Sequence, residues 1–236
     1  MINLSNETIL VISDLQCPYH HVDSFQFLNE IKKQFKPTRV INIGDEADFN
    51  GLNFHGLDPD MKSAGHELIE IRHYMGKLEK LFPQMDLIES NHGLLPKRRA
   101  KAGGIPSAML KGYNEIYDVG PGWKWYSHLD IKLPNGLLCR FVHNYESNIL
   151  NVSKNLGMCV VQGHHHSKFE LIYWSSGIKQ LWGATIGCLI DDTSSAFTYN
   201  KRSSKRPILG TMVIKNGIPI LIPMNLNKSN RWVGYL

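Results

Sequence analysis

Five short apolar runs in this chain each end on residues able to hold a metal ion, and that repetition restricts its possible folds more than any other feature. The clearest is Val40 to Asp48. Val40, Ile41 and Ile43 read as a buried strand that breaks at Gly44 and runs directly into Asp45-Glu46-Ala47-Asp48. A strand held in a core leaves little positional freedom to whatever follows its C-terminal end, which is where mixed α/β proteins place ligand-binding groups. Asp45 is therefore the expected centre of a site. Thr8 to Ser13 runs into Asp14-Leu15-Gln16, and Asp86 to Glu89 into Ser90-Asn91-His92-Gly93. Phe141-Val142 leads to His143-Asn144, and Cys159 to Gln162 leads to Gly163-His164-His165-His166. Residues two apart in an extended chain share a face, so Asp14 and Gln16 are expected to point together. A polar turn with Asp14 as a cap is the blander reading of that one segment.

The connections define the architecture. Asp23-Ser24 is expected to cap a helix from Phe25 to Phe35, and Lys36-Pro37 ends it. Strand, helix, strand in that order argues parallel strands. Phe49 to Pro59 reads as an aromatic loop, and Ala64 to Phe82 as the longest helix, stopped by Pro83. His66 and His73 on that helix read as surface or packing residues. From Gly120 the texture becomes strand-rich: Trp123–His128, Asp130–Leu133, Leu137–His143, Phe169–Trp174, Lys179–Trp182, Leu209–Ile214 and Pro219–Pro223. A helix is expected over Ser147–Leu156, with turns at Pro134-Asn135-Gly136 and Asn216-Gly217. With 236 residues, 42% of them hydrophobic, the chain suits a single domain over 1–236 with a full core.

Composition narrows the chemistry. The four cysteines, Cys17, Cys139, Cys159 and Cys188, form no CxxC pair, which disfavours a disulfide framework or a thiolate zinc site and suits a reducing cytoplasm. No signal peptide is evident and no 18-residue apolar run is present, so no membrane role is expected. Aspartate with imidazole, without thiolate, suits manganese, iron or zinc. Two such ions ~3.5–4 Å apart clamp a phosphate and generate hydroxide near neutral pH. The net charge of +5 permits a polyanionic partner. A lysine and arginine run ordinarily marks a solvated helical face. Here it directly follows Asn91-His92, so Lys97, Arg98 and Arg99 are the candidate substrate contacts. The basic stretch Lys201 to Arg206 reads as a solvated loop.

In order and spacing these segments resemble the motifs of the calcineurin-like metallophosphoesterases: Asp-x-His, Gly-Asp-x-x-Asp, Gly-Asn-His-Asp/Glu, a lone His after a strand, and Gly-His-x-His. The resemblance covers residues 14 to 166, and the later strands look like that family's second sheet. It implies an α/β fold, a β-sandwich of two mixed sheets flanked by helices in four layers (α/β/β/α). It also implies two divalent metal ions, manganese first, with Fe, Zn, Mg or Ni as alternatives. Carried over by position, Asp14, Gln16, Asp45 and His166 would hold one ion, and Asp45 would bridge to a second held by Asn91, His143 and His164. His92 would act on the phosphoryl or leaving oxygen, with Asp48 supporting the ligands from behind and His165 pointing away. Three positions depart from the pattern: Gln16 stands for a histidine, Gly93 for an acid that would orient His92, and Ser90 for a glycine. The implied activity is phosphodiester hydrolysis by metal-activated hydroxide. The mild basicity and short chain, similar to phage-encoded and DNA-repair members, favour a nuclease acting on nucleic acid. The alternatives are a phosphatase or phosphodiesterase on a small molecule or phosphoprotein, and a binding scaffold without activity.

Overall fold

The computed structural model describes residues 7–54, 61–194 and 206–236. Its first half alternates strands with helices: β1 (Thr8–Ile12), α1 (Ser24–Phe35), β2 (Arg39–Asn42), α2 (Ala64–Leu81), β3 (Met85–Ile88), α3 (Leu95–Ala102), α4 (Tyr113–Tyr117) and β4 (Trp123–Tyr126). The second half is strand-rich: β5 (Leu129–Lys132), β6 (Leu138–Val142), α5 (Ile149–Leu156), β7 (Cys159–Gln162), β8 (Phe169–Ser175), β9 (Gln180–Ile186), β10 (Gly210–Lys215) and β11 (Ile218–Pro223). They form a six-stranded sheet of order β11-β10-β1-β2-β3-β4 and a five-stranded sheet of order β5-β6-β7-β9-β8. In the first, β1 to β4 are parallel, β10 is antiparallel to β1, and β11 is antiparallel to β10. In the second, β6, β7 and β9 are parallel between antiparallel edges.

Side-chain alternation along the strands builds the layers. On β1, Ile9 and Val11 pack into the seam between the sheets with Ile41, Ile43, Phe141, Val161 and Trp182. Leu10 and Ile12 point the other way, into a second core with Phe27, Leu28 and Ile31 of α1 and Ile71, Met75 and Leu78 of α2. On the far side of the second sheet, Ile149 and Val152 of α5 cover Val142 and Val160. The result is helix, sheet, sheet, helix. Each buried aliphatic side chain contributes about 1.5–3 kcal/mol, and it is this packing that fixes the strand ends.

Several sequence expectations need correction. β1 stops at Ile12, and Asp14 and Gln16 both have positive φ (50° and 49°), so a left-handed turn rather than strand alternation aims them. Asp23 precedes α1 without a capping bond from its side chain. Its carboxylate instead accepts from Arg231 and from the Trp232 N–H (2.9 Å). α5 starts at Ile149, capped by Asn148, whose Oδ1 accepts from Asn151 N. β9 runs four residues past Trp182, to Ile186. Within the loop after Asp48 the chain makes a single 3-10 turn, Asn50–Leu52; the loop's residues 55–60, and 201–205 of the basic stretch, lie outside the described residues. Trp123 is core, and Trp125 stacks against both Tyr113 and Tyr117. No helix among the described residues is long and apolar enough to cross a membrane.

Candidate metal centre

The parallel strands β1, β2 and β3 of one sheet and β6 and β7 of the other end at the same edge of the sandwich, and the turns after them are sewn together. Asp14 N donates to Gly44 O (3.0 Å), Gln16 N to Asp45 O (2.8 Å) and Gly163 N to His143 O (3.0 Å). Ser90 Oγ accepts from Asp45 N (2.9 Å) and from Gly93 N (3.2 Å). Asp14, Gln16, Asp45 and His164 all have φ between 49° and 65°. Such left-handed backbone is uncommon outside glycine and persists where surrounding bonds over-determine it. Gly44 (φ 103°) has no substitute here: a Cβ would lie 2.6 Å from Ser90 Cβ and 2.8 Å from His143 Nδ1.

The turns bring seven predicted ligand side chains together in two groups. In one, Asp14 Oδ1 lies 3.1 Å and Gln16 Nε2 3.2 Å from His166 Nε2. Asp14 Oδ2 accepts from His164 N (2.9 Å) and from Ser13 Oγ. In the other, His143 Nε2 lies 2.7 Å from Asn91 Oδ1 and 3.2 Å from Asp45 Oδ2, and its ring sits edge-on to that of His164. Asp45, His143 and His164 each place one donor atom within 4.8 Å of the others. His143 Nδ1 is 3.0 Å from the Ile43 carbonyl, which accepts only, so Nδ1 carries the proton. In the neutral ring, Nε2 then points a lone pair at two oxygen acceptors, an arrangement that requires a positive charge among them. The donor set of carboxylate, amide oxygen and imidazole suits a divalent transition metal.

Electrostatics agree with that demand. Burial opposes charge on Asp45, but His143 and His92 together hold its carboxyl well below the usual range. Burial likewise opposes charge on His143, yet Asp45 and Asp14 raise it to about 9. His164 goes the other way: burial and the neighbouring His143 lower it, keeping the ring neutral and able to ligate.

His92 stands beside this group. Its backbone N–H donates to Asp45 Oδ1 (3.2 Å), and its Nδ1–H is shared between Asp48 O (2.6 Å) and Asp48 Oδ1 (3.1 Å). Despite the cost of burial, Asp45 and Asp48 raise it to about 10. Asp48 thus performs the orienting that Gly93 does not. The loop after Asp48 is gripped in turn by Glu67, a buried acid on α2 whose carboxylate accepts from Asn50 N and Gly51 N, both at 2.8 Å.

The basic residues are placed less simply. Lys97 Nζ pairs with Glu89 (3.1 Å) and lies over the Tyr113 ring. Arg99 donates to the carbonyls of Leu52 (2.8 Å) and Asn53 and lies over Phe54. Arg98 is exposed, with its guanidinium 5.2 Å from the Phe54 ring. Sequence reading missed Glu67 and gave Ser90 no part beyond standing for a glycine. Glu67 had a signal: it falls four residues before Ile71, on the stripe that continues through Met75 and Leu78 and is buried.

No protein-family model and no curated protein matches this sequence. Solved structures do. Vps29 of Chaetomium thermophilum aligns with a TM-score of 0.50 at 10% identity, covering 96% of this chain and 93% of that one. Vps29 of Cryptosporidium parvum gives 0.42 at 12% identity, covering 91% and 95%, and a single-mutant Vps29 of Entamoeba histolytica 0.44 at 14%, covering 93% and 99%. At such identities the first match speaks for fold alone. The fold is the one that structure has, a sandwich of two mixed sheets flanked by helices.

Proposed function

We propose that this protein is a divalent-metal-dependent phosphoesterase that hydrolyses phosphodiester bonds, with DNA as the substrate. The observation carrying the reading is the convergence of His143 Nε2, Asn91 Oδ1 and Asp45 Oδ2 on one buried point that calls for a positive charge. Asp14, Gln16, Asp45 and His166 on one side and Asp45, Asn91, His143 and His164 on the other would hold the metal. A divalent ion there supplies Lewis acidity toward a phosphoryl oxygen and acidifies water for attack. The chain's own part is positioning and proton handling. His92, held by Asp48 and protonated at neutral pH, presents its Nε2–H to the phosphoryl or leaving oxygen. α3 grows directly out of the Ser90–Gly93 turn, since Leu95 N donates to His92 O (2.9 Å), and carries Arg98 along the substrate's approach.

A second reading, a phosphatase or phosphodiesterase on a small molecule or phosphoprotein, is favoured by one fact. Lys97 and Arg99 already serve Glu89 and the Leu52 and Asn53 carbonyls, which shortens the positive track. The test is hydrolysis by manganese-reconstituted protein of bis-p-nitrophenyl phosphate, p-nitrophenyl phosphate, and labelled single- and double-stranded DNA, with Asp45→Asn as control. Cleavage of diester and DNA, lost in the control, supports the nuclease. Monoester turnover with intact DNA selects the phosphatase. No cleavage by metal-loaded protein overturns both.

A further inference from the structure

The two halves of the centre differ in a way that bears on how many ions they keep. We infer that the chain retains one divalent ion firmly, in the Asp45–Asn91–His143–His164 half, and that Gln16 makes the Asp14–Gln16–His166 half a weak, exchangeable site. The inference rests on the metal-centre reading above.

In the firm half the imidazole is already aimed at its oxygen partners. Ile43 O ties off Nδ1 of His143 and leaves Nε2 aimed at the oxygens of Asn91 and Asp45. That half also has two imidazoles, which zinc, iron and manganese all accept.

The other half is closed by its own hydrogen bonds. Gln16 turns its NH2 group, which has no lone pair to give, toward His166 Nε2 (3.2 Å). Its ligating atom, Oε1, is buried and has no hydrogen-bond partner among the described residues. Whichever way the amide faces, it offers the site one neutral oxygen and no imidazole or carboxylate lone pair, a weak donor for a cation. Asp14 brings only Oδ1 to this half, because its Oδ2 is committed to His164 N and Ser13 Oγ. A histidine or glutamate at position 16 would supply an imidazole or carboxylate lone pair. Disturbing the hydrogen bonds that support a ligand costs metal sites about 10- to 100-fold in affinity, and the two halves are expected to differ by at least that much. One imidazole among oxygen donors further biases the weak half toward manganese or magnesium.

The test is metal content, not activity. Wild-type protein is saturated with manganese, desalted, and assayed by mass spectrometry for metal per chain, with calorimetric titration alongside. About one ion per chain and two binding steps at least tenfold apart are expected. Gln16→His, or Gln16→Glu if the first variant folds poorly by circular dichroism, should retain close to two, and His164→Ala should lose the firmly held ion. Two ions retained by wild type, or no gain in either position-16 variant, overturns the inference while leaving the metal centre standing. No ion retained by wild type or variants overturns the metal-centre reading itself.

Discussion

The Nδ1–H of His143 donates to the carbonyl of Ile43, the residue just past the end of β2, across the seam between the two sheets. One backbone acceptor in the first sheet thereby sets the tautomer of an imidazole in the second. His143→Ala removes the imidazole that the Asp45 and Asn91 oxygens face. Its metal affinity should fall by more than the ~10–100-fold typical of losing a supporting partner, as read by calorimetry, while circular dichroism stays native.

His92 makes no bond that the metal ligands need from its side chain. His92→Ala is therefore expected to leave metal content unchanged and to lower kcat by about 10²–10⁴-fold, the usual worth of a positioned acid or base. Asp48→Asn should act in the same direction and more weakly, since the Asp48 carbonyl still accepts from the ring. Steady-state kinetics with metal analysis on the same samples separates these outcomes from simple metal loss.

Glu67 gives a pH signature. Burial raises its carboxyl to about 7 despite the two backbone N–H groups it accepts from. The folded state therefore holds this proton more tightly than the unfolded chain, where the ordinary value is 4.5. The stabilisation is fully present below pH ~4.5 and is lost as pH rises through about 7, with a total size of ~3 kcal/mol. Urea unfolding at pH 5 and pH 7.5 should show that slope in wild type and its removal in Glu67→Gln.

Gly44 is the turn's fixed point. Gly44→Ala forces a Cβ into Ser90 and the His143 ring at a φ of 103°. A loss of about 3 kcal/mol or more is expected, measured by denaturant midpoint, together with reduced metal retention.

Arg98 tests the substrate. If DNA binds along α3, Arg98→Ala should weaken binding of every sequence alike and reduce the slope of log K against log salt by about one. Fluorescence anisotropy on a metal-free labelled oligonucleotide reads this without turnover.

What could be read in advance divides along a physical line. Strand positions were legible because Val40-Ile41 and Cys159-Val160-Val161 are apolar runs that stop abruptly, and a buried strand leaves no other pattern. The side chains that converge were legible because Asp45, His143 and His164 follow such stops. The aim of Asp14 and Gln16 was not, because the left-handed turn that sets it is held by long-range bonds to Gly44 and Asp45 rather than by local propensity. The role of Glu67 depends on an 16-residue and a 17-residue separation, to Gly51 and Asn50, that only the folded chain brings together. β9 was cut short in reading because Gly183-Ala184-Thr185 carries little hydrophobic signal, although in the fold it is central and buried.

The central claim is that Asp45, Asn91, His143 and His164 enclose a divalent cation. The most direct measurement is anomalous diffraction from crystals grown with zinc, recorded on both sides of the metal edge. The account predicts a peak about 2.0–2.1 Å from His143 Nε2 and about 2.0–2.2 Å from Asp45 Oδ2, with His143 Nδ1 still on the Ile43 carbonyl. A zinc-loaded crystal with no peak between those atoms, or with His143 Nε2 donating directly to Asp45, would contradict it.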